Sequence, residues 1–458
     1  MTETKRFSIR TFGCQMNVHD TEKLANLLYH SGYEAADDES EADLLVINTC
    51  SVREKAENKL YSDLGRLREW KGSKPGRVIG VGGCVAQQEG HTILRRFEHV
   101  DLVFGTHNLL AVPAMLEGAA AGESSVRTEE LVTQDRFDLP ERHPAYQGAN
   151  TGHAFVTVME GCDMFCSFCV VPRTRGREIS RSADSIVSEV ENLVEHGISE
   201  ITLLGQTVNA YGRHDARRAV RTGASDAATI PYADLLRRLD AITDLRRIRY
   251  TSPHPLFFDD ALLAAHGDLE SLCPHIHMPV QSGNDRVLEK MRRRYTRGDY
   301  VGIVERLRAL RPDVVLTTDL IVGFPGETDA EFRDTLSLIK EVGFVDSYSF
   351  KYSRRPETKA LEFADVEISA ATASARLTQL QELQRQLTLD YHISRVGERA
   401  EIRVEGPGGR SGQIRGRDLH HRVVNVTTDP SVRPAPGSYL EVEVIEATPH
   451  SLIGAPLA

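Results

Sequence analysis

Gly161-Cys162-Asp163-Met164-Phe165-Cys166-Ser167-Phe168-Cys169, residues 161–169, decides the reading of this chain. It follows directly on an apolar run, Ala154 to Met159, that predicts a strand. Three thiols spaced four and three residues apart can wrap one group from a single loop. A structural zinc ion wants four protein ligands. Cys273 is too distant in sequence to be assumed as the fourth, and His153 lies on the strand. Buried free cysteines are the other plain alternative. Iron–sulfur clusters are held by thiolates, so three thiolates would leave one iron open for chemistry.

Working outward, five more apolar runs follow: Glu200 to Leu204, Arg247 to Thr251, His275 to Val280, Val314 to Val322 and Val345 to Lys351. Helical periods separate them at Ser182 to His196, Tyr232 to Ile242, Arg297 to Leu310 and Asp329 to Glu341. Six βα units predict a parallel sheet curved toward a barrel, short of the eight of a closed one. Tyr211 to Thr229 reads as a polar insertion, and a long amphipathic helix over Ser369 to Tyr391 leads out.

Before this core, short buried runs (Phe7 to Phe12, Leu44 to Ile47, Val78 to Val81, Leu102 to Phe104) alternate with helical segments (Thr21 to His30, Glu54 to Trp70, Thr92 to Phe97). They predict an open parallel α/β sheet. After it, alternating runs at Ala400 to Val404, Arg422 to Val426 and Tyr439 to Ile445 between Gly and Pro turns predict a small antiparallel β-barrel. The expected fold class is α/β. An N-terminal open α/β domain covers 1–121, a linker 122–147, a partial (βα)6 barrel 148–385 and the small barrel 386–458.

The 458 residues are 40% apolar and 26% charged, ordinary for a soluble globular chain. No run approaches the roughly 20 apolar residues of a membrane span, and the first residues carry no secretory apolar segment. A cytoplasmic, reducing compartment is the expectation. A net charge of −11 argues against a general nucleic-acid coat but leaves local basic patches open. Seven cysteines are too few for a disulfide scaffold at this length.

Three of those cysteines share one topological position. Cys14 follows the first strand of the N-terminal domain, Cys50 the second and Cys84 the third. Loops beyond the carboxyl ends of parallel strands form the ligand crevice of an open sheet. The three should therefore converge, at helix N-termini that favour the thiolate. Packing could explain one such cysteine; three in register point to a second three-thiolate site. Cys273 reads as a buried free thiol.

The C-x3-C-x2-C loop after the first strand of a partial βα barrel resembles the radical S-adenosylmethionine superfamily. Two cysteine triads in this order, with the terminal barrel, resemble the methylthiotransferases over essentially the whole chain. The match is closest to their tRNA branch, which makes 2-methylthio-N6-isopentenyladenosine. It is carried by Glu160-Gly161-Cys162-Asp163, Phe168-Cys169-Val170-Val171-Pro172, Thr174-Arg175-Gly176-Arg177-Glu178 and Gly205-Gln206-Thr207-Val208-Asn209-Ala210-Tyr211-Gly212. Pro279-Val280-Gln281-Ser282-Gly283 and Gly323-Phe324-Pro325-Gly326-Glu327-Thr328 complete it. Thr207, Arg354 and Glu357 depart from the family pattern.

The resemblance implies that Cys162, Cys166 and Cys169 hold a radical-generating 4Fe–4S cluster whose open iron chelates S-adenosylmethionine. It implies a second 4Fe–4S cluster on Cys14, Cys50 and Cys84 that supplies sulfur, and two S-adenosylmethionine molecules per turnover. Gly205, Gln206, Ser252, Gln281, Val322 and Gly323, at the ends of barrel strands, would cradle S-adenosylmethionine, although Gly323-Phe324-Pro325-Gly326 reads equally as a turn. The substrate implied is tRNA with isopentenylated adenosine 37, whose base must be presented unstacked. Basic residues that would face it are Arg173, Arg175, Arg177, Arg292, Arg293, Arg294, Arg415 and Arg417, although charge runs are often only solvated faces. The terminal barrel resembles the RNA-binding TRAM module.

The remaining partners implied are a reduced electron donor such as flavodoxin or ferredoxin and a sulfur donor whose identity the sequence does not fix; the chain is expected to be a monomer. Rival readings are the same chemistry on N6-threonylcarbamoyladenosine of tRNA or on a ribosomal-protein aspartate, and a non-catalytic RNA-binding protein with structural zinc.

Overall fold

The computed structural model describes residues 4–51, 54–131, 133–138, 140–143, 151–214, 229–428 and 434–457. The core of the polar insertion expected at 211–229 and part of the linker expected at 122–147 lie outside the described residues. The chain forms two compact units, one of 1–149, 160–163 and 169–179, the other of 150–159, 164–168 and 180–458.

The first unit is built on a parallel sheet of six strands: β1 (Arg6–Phe12), β2 (Glu34–Ala35), β3 (Leu44–Thr49), β4 (Val78–Gly83), β5 (Leu102–Phe104) and β6 (Ser125–Arg127). Their order is β2-β1-β3-β4-β5-β6. β3 is buried along its whole length, the mark of a central parallel strand covered on both faces. Two separate apolar clusters, around Leu28 and Phe104 on one side and around Ile47 and Leu64 on the other, fill those faces. β6 falls in the stretch expected to be a linker. At three residues, Ser-Val-Arg on the sheet edge, it has no apolar run to announce it.

In the second unit six parallel strands form two groups of three. His153–Thr157, Glu200–Leu204 and Arg247–Tyr250 make the first; His275–His277, Val315–Val322 and Asp346–Lys351 make the second. Isolated parallel bridges Ile248↔Leu272 and Gln281↔Leu320 extend the pairing beyond the regular strands. One continuous apolar core runs from Ala154 to Leu380, the latter on the helix Ala370–Ser394.

The last five strands, Arg399–Pro407, Gln413–Arg417, Val423–Thr427, Tyr439–Ala447 and Leu452–Pro456, close into a barrel. It is not wholly antiparallel as expected, because Val423–Thr427 and Leu452–Pro456 pair parallel. Tyr439–Ala447 pairs back onto Arg399–Pro407, so the last strand fills the remaining gap beside Val423–Thr427. No helix among the described residues is long and apolar enough to cross a membrane.

A buried charge hub joins this barrel to the parallel strands. Glu200, fully buried, accepts from Arg249 Nε at 3.0 Å and Arg403 Nε at 3.1 Å, with Arg247 at 3.6 Å. Arg247 also donates to the Glu401 and Arg417 carbonyls, and Arg249 to those of Asp418 and Leu419. Burial raises the Glu200 carboxyl, but Arg249, Arg403, His153 and Arg247 outweigh it and hold its pKa at about 2, against 4.5 when free.

A carboxyl depressed on folding contributes stability that is complete above 4.5 and is lost as pH falls toward 2, here on the order of 3 kcal/mol. Glu200→Gln is expected to cost about 3–5 kcal/mol, because buried guanidiniums lose their counter-charge. It should also flatten the acid limb of the stability–pH profile. Urea titrations at stepped pH check this; an acid limb that overlays the parent's refutes the assignment.

Candidate functional site

The three dispersed cysteines meet. Cys14 caps the N-terminus of helix α1 (Gln15–His30), Cys50 follows β3 and Cys84 opens the helix Cys84–Glu89. Cys50 hydrogen-bonds both Cys14 and Cys84. Those bonds, and then the charge of Arg175, draw the Cys14 and Cys84 thiols below their ordinary value against the opposing effect of burial, while Cys50 is pushed up. The close approach depends on Gly13, at φ +143°, where a Cβ would lie 2.5 Å from Cys50 Cβ and from Asn17 Oδ1.

Polar residues surround the trio, and of these Asn17, Asn48, Asp20, Thr106 and His107 have no role expected from the sequence. Asn17 Oδ1 accepts from Cys14 N and Sγ, both at 3.4 Å. Asn48 Nδ2 donates to Asn17 O at 2.8 Å. Arg175, expected to face RNA, is instead buried and donates to Asp20 Oδ2 at 2.5 Å. His107 and Thr106 hold the Arg175 and Thr174 carbonyls at 2.9 and 2.7 Å. Glu160 is buried within reach of Lys23 (3.4 Å) and Arg136 (3.7 Å). A signal for Asn17 and Asn48 was available: both lie within three residues of a strand-end cysteine, and a buried amide there needs a purpose.

Four buried polar atoms beside the thiols, Asp20 Oδ1, Thr49 Oγ1, Ser51 Oγ and Arg175 Nη1, find no hydrogen-bond partner among the described residues. Unspent donors and acceptors around three thiols suit a sulfur-rich inorganic group better than a packed apolar core. No three His, Cys, Asp or Glu side chains among the described residues are disposed about one point as ligands of a single metal ion. A cluster does not require that, since each thiolate binds a different iron.

In the loop 161–169, Cys162 and Cys166 are buried and Cys169 partly so. Gly161, at φ +81°, has its Cα against the Arg177 carbonyl, where a Cβ would come within 2.1 Å. The amide of Cys162 donates to Gly176 O at 3.2 Å, and Arg177 clamps Asp163 through Nε (2.6 Å) and Nη2 (3.0 Å). In the second unit Ser167 donates from N to Met291 O (3.1 Å) and from Oγ to Lys290 O (2.7 Å). Ala360 N donates to Ser167 O at 2.8 Å.

The residues expected around S-adenosylmethionine all lie at carboxyl ends of barrel strands. Ser252 and Gln281 adopt left-handed backbone at φ +57° and +76°. That costs a non-glycine residue about 1–2 kcal/mol, and such strain gathers at functional sites. Gln206 is half-buried. Gly205 is smallest where Met159 packs: a Cβ would lie 2.6 Å from Met159 Cγ. Val322 points into the core. Gly323 donates to Glu327 Oε2 at 2.7 Å and leaves room for Ala373, so the helix Ala370–Ser394 already accounts for it.

Arg173, Arg177, Arg292 and Arg294 are exposed. Arg293 is not; it is 6% exposed and hydrogen-bonded inside, which corrects its expected phosphate role. Arg415 and Arg417 share Glu405, at 3.2 and 2.9 Å. Cys273 is buried, as a free thiol.

Comparison with known proteins covers this architecture end to end. Residues 6–105 match the model of the Uncharacterized protein family UPF0004, 156–339 the Radical SAM superfamily and 394–457 the TRAM domain. A tRNA-2-methylthio-N(6)-dimethylallyladenosine synthase of Geobacter metallireducens (strain ATCC 53774 / DSM 7210 / GS-15) is 45% identical over 99% of this chain and 99% of its own. A protein of the same name from Acidithiobacillus ferrooxidans (strain ATCC 53993 / BNL-5-31) is 46% identical over 97% of this chain and 96% of its own. Among solved structures, the radical S-adenosylmethionine methyltransferase TsrM from Kitasatospora setae, with cobalamin and a 4Fe–4S cluster bound, is 15% identical. It aligns over 78% of this chain and 77% of that one with a TM-score of 0.54, a likeness of fold alone.

Proposed function

The chain belongs to the family of tRNA-2-methylthio-N(6)-dimethylallyladenosine synthases, and from that premise we propose how its own side chains divide the work. The reaction is methylthiolation of C2 of N6-isopentenyladenosine at tRNA position 37, a transferase reaction of the radical S-adenosylmethionine class. Cys162, Cys166 and Cys169 hold the radical-generating 4Fe–4S cluster. Gly205, Gln206, Ser252 and Gln281 line the S-adenosylmethionine site, with Val322 and Gly323 shaping its floor through the backbone. Bound there, cluster and S-adenosylmethionine would supply one-electron cleavage of the sulfonium C–S bond, and with it the hydrogen-atom abstraction from an unactivated C–H bond that acid–base side chains cannot perform.

Cys14, Cys50 and Cys84 would hold a second 4Fe–4S cluster, which would supply the sulfur to be inserted. The observation that carries this is the hydrogen-bonded contact of three thiols delivered by three separate strand ends. Asn17 orients Cys14, and Arg175, fixed by Asp20, places a positive charge beside the thiolates. Arg173, Arg177, Arg292, Arg294, Arg415 and Arg417 meet tRNA phosphates, contacts that position without reading sequence. The enzyme works as a cytoplasmic monomer and takes its electron from a reduced flavodoxin or ferredoxin.

Mass spectrometry of tRNA nucleosides from a strain lacking the gene tests the reading. Loss of 2-methylthio-N6-isopentenyladenosine with accumulation of N6-isopentenyladenosine is the expected result. An unchanged methylthio nucleoside, or a change confined to threonylcarbamoyl derivatives, overturns it.

A further inference from the structure

Arg293 is flanked by two residues in left-handed backbone, Arg292 at φ +60° and Arg294 at φ +59°. Two such turns in three residues throw the neighbours outward and drive Arg293 inward, at a cost of about 1–2 kcal/mol each. Each of the three guanidinium nitrogens then makes a hydrogen bond. Nη2 donates to the Pro279 carbonyl at 2.7 Å, Nε to the Tyr295 hydroxyl at 2.9 Å and Nη1 to Cys166 Sγ at 3.5 Å. Tyr295 in turn donates to Val280 O at 2.9 Å. The same segment receives Ser167, the neighbour of Cys166, on the carbonyls of Met291 and Lys290. A salt bridge does not explain the arrangement, since Arg293 pairs with no carboxylate among the described residues; its polar partners are a thiol, a hydroxyl and a carbonyl.

We propose that Arg293 is a positioning residue for the radical-generating centre: its buried guanidinium hydrogen-bonds the Cys166 sulfur, orients that ligand and raises the reduction potential of the cluster it holds. The inference rests on the ligand role of Cys166 given above. Reduction adds one negative charge to the cluster. A fixed cation and an N–H···S bond at a ligand sulfur stabilise the more negative state, and hydrogen bonds to the sulfurs are among the groups that set such potentials. Water does not screen the interaction, because Arg293 and Cys166 are both buried. Tyr295 and the Pro279 carbonyl keep the fork from swinging away, so the bond is part of the fold and not a chance encounter of a long side chain.

The test uses the full chain carrying Cys14→Ala, reconstituted anaerobically with iron and sulfide, so that one cluster is observed. With 15N-labelled arginine, pulsed EPR of the reduced cluster should show a 15N coupling that disappears in Arg293→Lys. In Arg293→Gln the equilibrium constant for one-electron reduction should fall about tenfold, equivalent to about 59 mV, with Arg293→Lys falling less. A parent spectrum without coupling, a coupling that persists in Arg293→Lys, or an unchanged midpoint in Arg293→Gln overturns the proposal. The coupling in the parent needs no substitution at Arg293 and decides the matter even where Arg293→Gln fails to fold. Cys166→Ala separates the two levels. If the reduced-cluster signal survives that change, the ligand reading itself falls; if the signal is lost and the parent shows no coupling, only the role of Arg293 falls.

Discussion

Cys162→Ala is expected to end 5′-deoxyadenosine formation and, with it, all methylthio product, a fall of at least about 10³-fold, or about 4 kcal/mol in barrier. The size follows from the ligand count. In the proposed assignment three thiolates are the whole protein contribution to that cluster, and two would not retain it. The fold should be nearly indifferent, since replacing a small buried thiol by a methyl group disturbs packing little. The Gly161 turn and the Cys162 amide bond to Gly176 are made by backbone and survive the change. Chromatography of the nucleoside products after incubation with dithionite, alongside far-UV circular dichroism, checks both halves. A folded variant that still releases 5′-deoxyadenosine at even a tenth of the parent rate removes the radical assignment.

Cys14→Ala separates the two kinds of chemistry. Its iron content should drop from about eight atoms per chain to about four, one 4Fe–4S cluster remaining. 5′-Deoxyadenosine should still form, while methylthio-adenosine falls about 10³-fold, because the radical centre is left without a sulfur to insert. Cys14 is the exposed member of its trio, whereas Cys50 and Cys84 are buried, so it is the thiol whose loss perturbs packing least. Liquid chromatography with mass spectrometry of digested tRNA reads the product, and iron analysis reads the cluster. Methylthio product at parental rates from this variant would leave the N-terminal unit without a catalytic part.

Both proposed sites could be read off the sequence because thiol chemistry and strand ends are local. The spacing from Cys162 to Cys169 needs no tertiary knowledge, and Cys14, Cys50 and Cys84 each follow a short apolar run that reads as a strand. The arginines were not legible in the same way. Arg175 and Arg293 sit in stretches that look like solvated charge, yet both are buried, one on Asp20 and the other against Cys166. What turns Arg293 inward is the backbone of its two neighbours, and arginine is a residue type that gives no hint of positive φ. Ser125–Arg127, Gln413–Arg417 and Leu452–Pro456 were also missed as strands. Each is short, and the inward positions of Gln413–Arg417 are Ile414 and Gly416, too little to print an alternating pattern.

The hub at Glu200 sets how portable the terminal barrel is. Excised from this chain, the barrel would carry Arg403 without the Glu200 carboxylate and the Thr151 carbonyl that it now holds. The carbonyls of Glu401, Arg417, Asp418 and Leu419 would lose the guanidiniums that reach them from Arg247 and Arg249. A graft onto a foreign scaffold would therefore have to import a matching acid and two arginines at the seam. Shuffling it between proteins as a free-standing cassette is closed off by the chemistry of its own attachment.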